Sequence, residues 1–186
     1  MKTFGLNVLL ATLLVGFFTT SAMAKSTAKE LDHDANMAIN QFIDETPGGD
    51  PFLVKAKAFL VFPEIKEGGF FIGGKYGEGV LRHKRKTLGY YEIMTASVGF
   101  QMGIQEYSLI IAFTTDEALD KFLKNENDDE WETGIEGKII ADEWNSKEEI
   151  DDVEFEDDVV AFVFNAKGFM GSFTMEGTKF KKINPQ

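Results

Sequence analysis

The chain has 186 residues, no cysteine, and 31 Asp and Glu against 19 Lys and Arg, for a formal charge of −12. That length holds a leader and one domain of ordinary size, and the missing cysteine excludes disulfides, thiol nucleophiles and cysteine-based zinc sites. So acidic a surface disfavours general nucleic-acid binding and repels anionic membrane as a whole.

Residues 1–24 read as a secretion signal. Lys2 supplies the positive start, Leu6–Phe18 is an apolar run, and Ala22-Met23-Ala24 has the small-x-small pattern of a cleavage site. The run is shorter than the roughly 20 apolar residues of a spanning helix. The expectation is cleavage after Ala24, a single domain over 25–186, and a periplasmic or secreted product, one charge more negative once Lys2 has left.

Thr27 and Glu30 make a capping box for a helix over Ala28–Glu45. Leu31, Ala35, Ala38, Ile39, Phe42 and Ile43 recur along it at helical spacing, opposite an acidic face. Pro47-Gly48-Gly49 ends it, and Asp50-Pro51 opens a short helical turn, with Asp50 as N-cap. Phe59–Phe62 is a strand stopped by Pro63. Phe70–Val80 and Thr87–Phe100 are aromatic and β-branched but carry Gly73, Gly74, Gly77, Gly79 and Gly99, the mark of bends or close backbone approach. Tyr107–Phe113 is a strand. Thr114 and Glu117 cap a helix over Asp116–Leu123. Glu132–Ala141 is extended, and Glu148–Asp158 is an acidic loop. Val159–Phe164, Phe169–Met175 and Lys179–Ile183 are short strands. The fold class is α+β: a curved antiparallel sheet, tending to a barrel, with an N-terminal helix and one inserted helix.

Motifs for chemistry are scarce. Gly74-Lys75-Tyr76-Gly77-Glu78-Gly79 lies inside a strand pattern, whereas a dinucleotide fingerprint joins a strand to a helix. Ser97 lacks the first glycine of a nucleophile elbow. The acidic runs do not fit a calcium loop. His33 and His83 stand 50 positions apart, so no metal site is expected, and no cofactor. The chain reads as a non-enzymatic protein. Against the acidic background two basic clusters stand out: Arg82, Lys84, Arg85 and Lys86 in a hairpin turn, and Lys179, Lys181 and Lys182 in the last strand region. Such clusters either direct an anion to one place or blunt a sheet edge.

The stretch AKAFLVFPEIKEGGFFIGGKYGEGVLR (56–82) resembles the signature of the SYLF-domain family: a strand ending in Phe-Pro, then Gly-Gly-x-Tyr-Gly-x-Gly. Residues 89–122, with Ser97-Val98-Gly99-Phe100-Gln101-x-Gly103, resemble its middle block. Trp131–Gly137 and 166–180 resemble its closing blocks. The resemblance implies a binding module without enzymatic activity. Eukaryotic members bind phosphoinositides and some bind actin, while bacterial members are exported and linked to phospholipid. The acidic Asp142–Asp158, with Trp144, departs from the family's small-residue stretch. For an exported chain the implied partner is anionic phospholipid or a membrane surface, bound weakly through Arg82, Lys84, Arg85 and Lys86, with Lys179, Lys181 and Lys182 in support. The alternative is a periplasmic protein–protein interaction module without a lipid ligand.

Overall fold

The first helix begins where the capping box predicts. In the computed structural model, which describes residues 26–69, 72–98, 104–125, 131–132, 138–140, 157–167 and 178–186, α1 runs Ala28–Glu45. The Glu30 N–H donates to Thr27 Oγ1 at 3.2 Å, and the Thr27 N–H donates to Glu30 Oε2 at 2.8 Å. Leu31, Ala35, Ala38 and Phe42 are its buried stripe. Helix α2 runs Gly49–Lys55 and starts earlier than predicted. Gly48, at φ 79°, is its N-cap, so Asp50 falls inside the first turn instead of capping it, where its charge still favours the helix N-terminus.

Six strands carry the sheet's antiparallel body. They are β1 (Ala58–Gly69), β2 (Ile72–His83), β3 (Lys86–Val98), β4 (Ile104–Phe113), β7 (Val159–Lys167) and β8 (Lys179–Ile183). Two short strands flank them, β5 (Trp131–Glu132) and β6 (Lys138–Ile140), and helix α3 (Asp116–Asn125) follows β4. The order is β5-β8-β3-β2-β1-β4-β7-β6, with only β6 against β7 parallel. The fold is therefore α+β as expected. The sheet is open, not a closed barrel: β5 and β6 end the order and do not pair with each other. The expected strand over Phe169–Met175, most of the acidic loop and the leader lie outside the described residues.

The sheet is nonetheless strongly curved. Phe62 on β1 and Phe180 on β8 stand three strands apart, about 14 Å if the sheet were flat, yet their ring centroids are 5.9 Å apart. Pro63 is the centre of the device that bends it. The strand expected to stop there continues to Gly69, because Pro63 sits in a bulge that does not need its missing N–H. Phe62 and Pro63 together oppose Gly79, and on the other edge Pro63 and Glu64 oppose Ser108. Ser108 Oγ donates to the Pro63 carbonyl at 2.7 Å. Two strands over, Asn165 and Ala166 oppose Tyr107, with Asn165 at φ 54°. A row of bulges thus crosses β1 and β7, and that is why β7 extends past Phe164. Gly79 permits the closest approach: a Cβ there would lie 2.4 Å from the Val61 carbonyl oxygen and 2.5 Å from the Phe62 ring.

Two cores form, one on each face. The outer face packs Phe59, Val61, Val80, Ile110, Phe162 and Phe164 under α1 and α2. The inner face packs Leu60, Phe62, Ile65, Tyr91, Ile93 and Phe180 with Phe122 of α3. The cap of α3 is shifted by one residue from the expected Thr114. Thr115 Oγ1 accepts from the Ala118 N–H at 3.2 Å, because the Thr114 hydroxyl is turned to the Asp157 carbonyl at 2.7 Å.

Candidate functional site

The β2–β3 hairpin turns through Lys84 and Arg85, between the paired His83 and Lys86. Lys84 takes φ 54°, a left-handed conformation that glycine or asparagine fills more cheaply. His83 Nδ1 contacts the Lys57 carbonyl and fixes the base of the turn. Lys84, Arg85 and Lys86 are exposed, and no ion pair among the described residues engages them. Leu88, left without a partner by the register shift between Leu81 and Arg82, is 42% exposed beside them.

Arg82 lies apart from this exposed group. It is buried at 6% exposure and turns toward α1. Its Nη1 donates to Thr87 Oγ1 at 2.7 Å, and its Nη2 donates to Asn36 Oδ1 at 3.1 Å and lies 3.1 Å from Asp32 Oδ1. Asp32 also accepts from Thr87 Oγ1 at 2.9 Å and from the Tyr90 hydroxyl at 3.1 Å. Three elements are thereby latched together, and the guanidinium is spent on the fold except at Nε, which is buried without a partner.

Between the hairpin and the helices lies a groove of about 980 Å³. Helix α1 gives it Ile39 and Ile43 with Asn36 and Asn40, α2 gives Leu53, Val54 and Asp50, and the sheet gives Phe59, Arg82, Lys84 and Arg85. Val54, on its α2 wall, is 59% exposed. A second hollow on the far side of α1, about 430 Å³, has Asp34, Asp44 and Glu45 in its wall. Helix α1 thus divides a cation-rimmed groove from an acidic one.

The second basic cluster stands elsewhere. Lys179, Lys181 and Lys182 on β8 are in register with Met94, Glu92 and Tyr91 of β3. That places them about 17–26 Å along the strand from Lys86. Lys181 and Lys182 are exposed and, as neighbours in a strand, point to opposite faces. The seven basic residues singled out in the sequence form no single patch: three mark the hairpin tip, three lie along β8, and Arg82 is internal. Sequence reasoning missed the apolar partners of the tip. Leu88 and Val54 look like core residues in a sequence, and only the register shift and the helix packing expose them.

Residues 94–184 match the family model described as Ysc84: Las17-binding protein actin regulator. That span, just under half of the chain, carries the Ysc84, or SYLF-domain, match. No curated protein matches the chain. The SYLF match opens inside β3 and takes in β4, α3 and all that follows to Asn184, Lys179, Lys181 and Lys182 included. It leaves α1, α2 and the hairpin tip outside. SYLF domains are binding modules, and that role fits a chain whose described residues form a cation-rimmed groove. Among the described residues no helix is long and apolar enough to cross a membrane.

Proposed function

We propose that this protein is an exported, non-enzymatic module that docks on membrane surfaces carrying anionic phospholipid, using the β2–β3 hairpin tip. One observation carries the reading: Lys84, Arg85 and Lys86 project from a protein of net charge −12, next to the exposed apolar Leu88 and a groove with an apolar floor. Cations draw the tip to the headgroups, and an exposed apolar side chain has somewhere to go once there. Export rests on the leader pattern of residues 1–24.

The energetics set the scale. A basic residue near an anionic surface contributes about 1 kcal/mol, so three supply about 3 kcal/mol before the acidic surroundings subtract their share. Binding is weak, near the millimolar end of the scale, and falls within a Debye length as salt rises. The test is flotation of the protein with vesicles of phosphatidylglycerol and phosphatidylcholine at low and high salt. The variant Lys84→Gln/Arg85→Gln/Lys86→Gln keeps the turn polar and is expected to lose flotation at low salt. If it floats as the parent does, the tip is not the docking site. The second reading, a protein-interaction module without lipid, is favoured by the family's description as Las17-binding, and it then moves ahead.

A further inference from the structure

Surface attraction leaves one feature of the groove without a role, its apolar floor. We propose, resting on the lipid-docking reading above, that the groove between α1, α2 and the hairpin receives one acyl chain of an anionic lipid whose headgroup oxygen meets the hairpin wall.

The groove holds about 980 Å³ and is partly open to solvent, a volume within the range of small-ligand sites. Its floor is apolar: Phe59 and Leu53 are 3% and 4% exposed, and the half-buried Ile39 and Ile43 line the α1 side. An apolar floor with Asn36 and Asn40 beside it and cations gathered at the hairpin end suits an amphipathic molecule. Charge decides which end is which. Lys84 and Arg85 form the hairpin wall, whereas Asp50 stands on the α2 wall and turns an anion away from that side.

Arg82 closes the hairpin end of the groove. It lines the groove at 6% exposure, with its guanidinium held by Thr87, Asn36 and Asp32, and so forms a fixed wall there. A phosphate oxygen at the hairpin end is an acceptor of the right charge for the exposed Lys84 and Arg85. The acidic hollow across α1 cannot serve, since Asp34, Asp44 and Glu45 repel the same headgroup.

The experiment uses single-chain lysophosphatidylglycerol kept below its micelle concentration, titrated calorimetrically, with glycerol phosphate as the headgroup without its chain. Saturable binding at one site is expected, tightening about tenfold for every two methylenes added between ten and fourteen carbons, as burial of the chain requires. Glycerol phosphate is expected to bind at least about tenfold more weakly, because it lacks the buried chain. Ile39→Trp fills the groove from its half-buried wall, and Ile43→Phe does so more mildly should the first variant fail to fold. Either is expected to weaken lysolipid binding at least about tenfold while vesicle flotation through Lys84, Arg85 and Lys86 persists. Affinity independent of chain length overturns the inference, as does unchanged lysolipid binding by a folded groove variant. In both cases retained flotation leaves the surface reading intact. Flotation by the triple Gln variant overturns the surface reading instead.

Discussion

The two faces of the sheet are built on different principles. The inner face is filled by rings: Phe122 of α3 packs on Tyr91, Phe113 and Phe180 at centroid distances of 5.2, 5.0 and 6.1 Å, and so draws together strands from across the curve. The outer face is covered by two helices that do not reach the hairpin tip, and the gap between them and the tip is the groove. One face is closed by aromatic packing. The other is held by a polar latch, Arg82 to Asp32, and is left open where the cations stand. Curvature explains the division, since bending the sheet toward α3 crowds the concave side and spreads the convex one.

The strongest way to break the comparison is to remove the ring at the centre of the inner face. Phe122→Ala is expected to cost about 3–5 kcal/mol, the usual penalty for deleting a buried phenylalanine, read as a shift of the urea midpoint at constant slope. Ile43→Ala on the outer groove wall, already half-buried, is expected to cost well under half of that. Equal costs would mean that the two faces are equally packed and that the groove is not a gap.

A second pair of variants tests the curvature itself. At Gly79 a new Cβ meets backbone that cannot move aside, 2.4 Å from the Val61 oxygen, whereas at Gly74 the nearest atom is the Thr95 carbonyl oxygen at 3.0 Å. Both substitutions overpack, which costs about 1–3 kcal/mol. Gly79→Val belongs at the top of that range and Gly74→Val at the bottom. Thermal midpoints that do not separate in this order would show that β1 and β2 are not pinned at the bulge.

How much of this was legible follows from the same geometry. The capping box at Thr27, the helix to Glu45 and the apolar strand runs are local patterns, and local patterns survive into the fold. Pro63 reads as a stop in the sequence because proline lacks a ladder N–H, while in the sheet a bulge removes the need for it. The cationic turn was visible as a charge cluster, but the division of its members was not. Arg82 differs from Lys84 only in pointing to α1, and the partner that buries it, Asp32, lies 50 positions away. The groove could not be read at all: Ile39, Ile43, Leu53 and Phe59 are ordinary core residues until the helices are placed.

The smallest effect near neutral pH, and one that sharpens the contrast between the faces as the pH climbs, is alkaline titration. On the outer face Tyr76 is held above the ordinary phenol value, first by burial and then by the Glu78 charge, and Tyr90 by burial and its hydrogen bond to Asp32. On the inner face burial and the Glu67 charge raise Tyr107, while burial lowers Lys75 from the ordinary lysine value. The signs differ. A raised phenol contributes stability that is complete below its unfolded pKa of about 10 and is lost above it, because the unfolded chain ionises first. A lowered lysine carries a penalty at lower pH that is relieved as the pH approaches its unfolded value of about 10.4. The outer face therefore only loses stability with alkali, and the inner face gains through Lys75 before it loses through Tyr107. Thermal midpoints between pH 8 and 11 should hold or rise slightly and then fall. Tyr76→Phe should make the fall shallower, and Lys75→Met should remove any rise that precedes it. A Tyr76→Phe profile parallel to that of the parent up to pH 11 would show that this phenol is no more protected in the fold than in the unfolded chain.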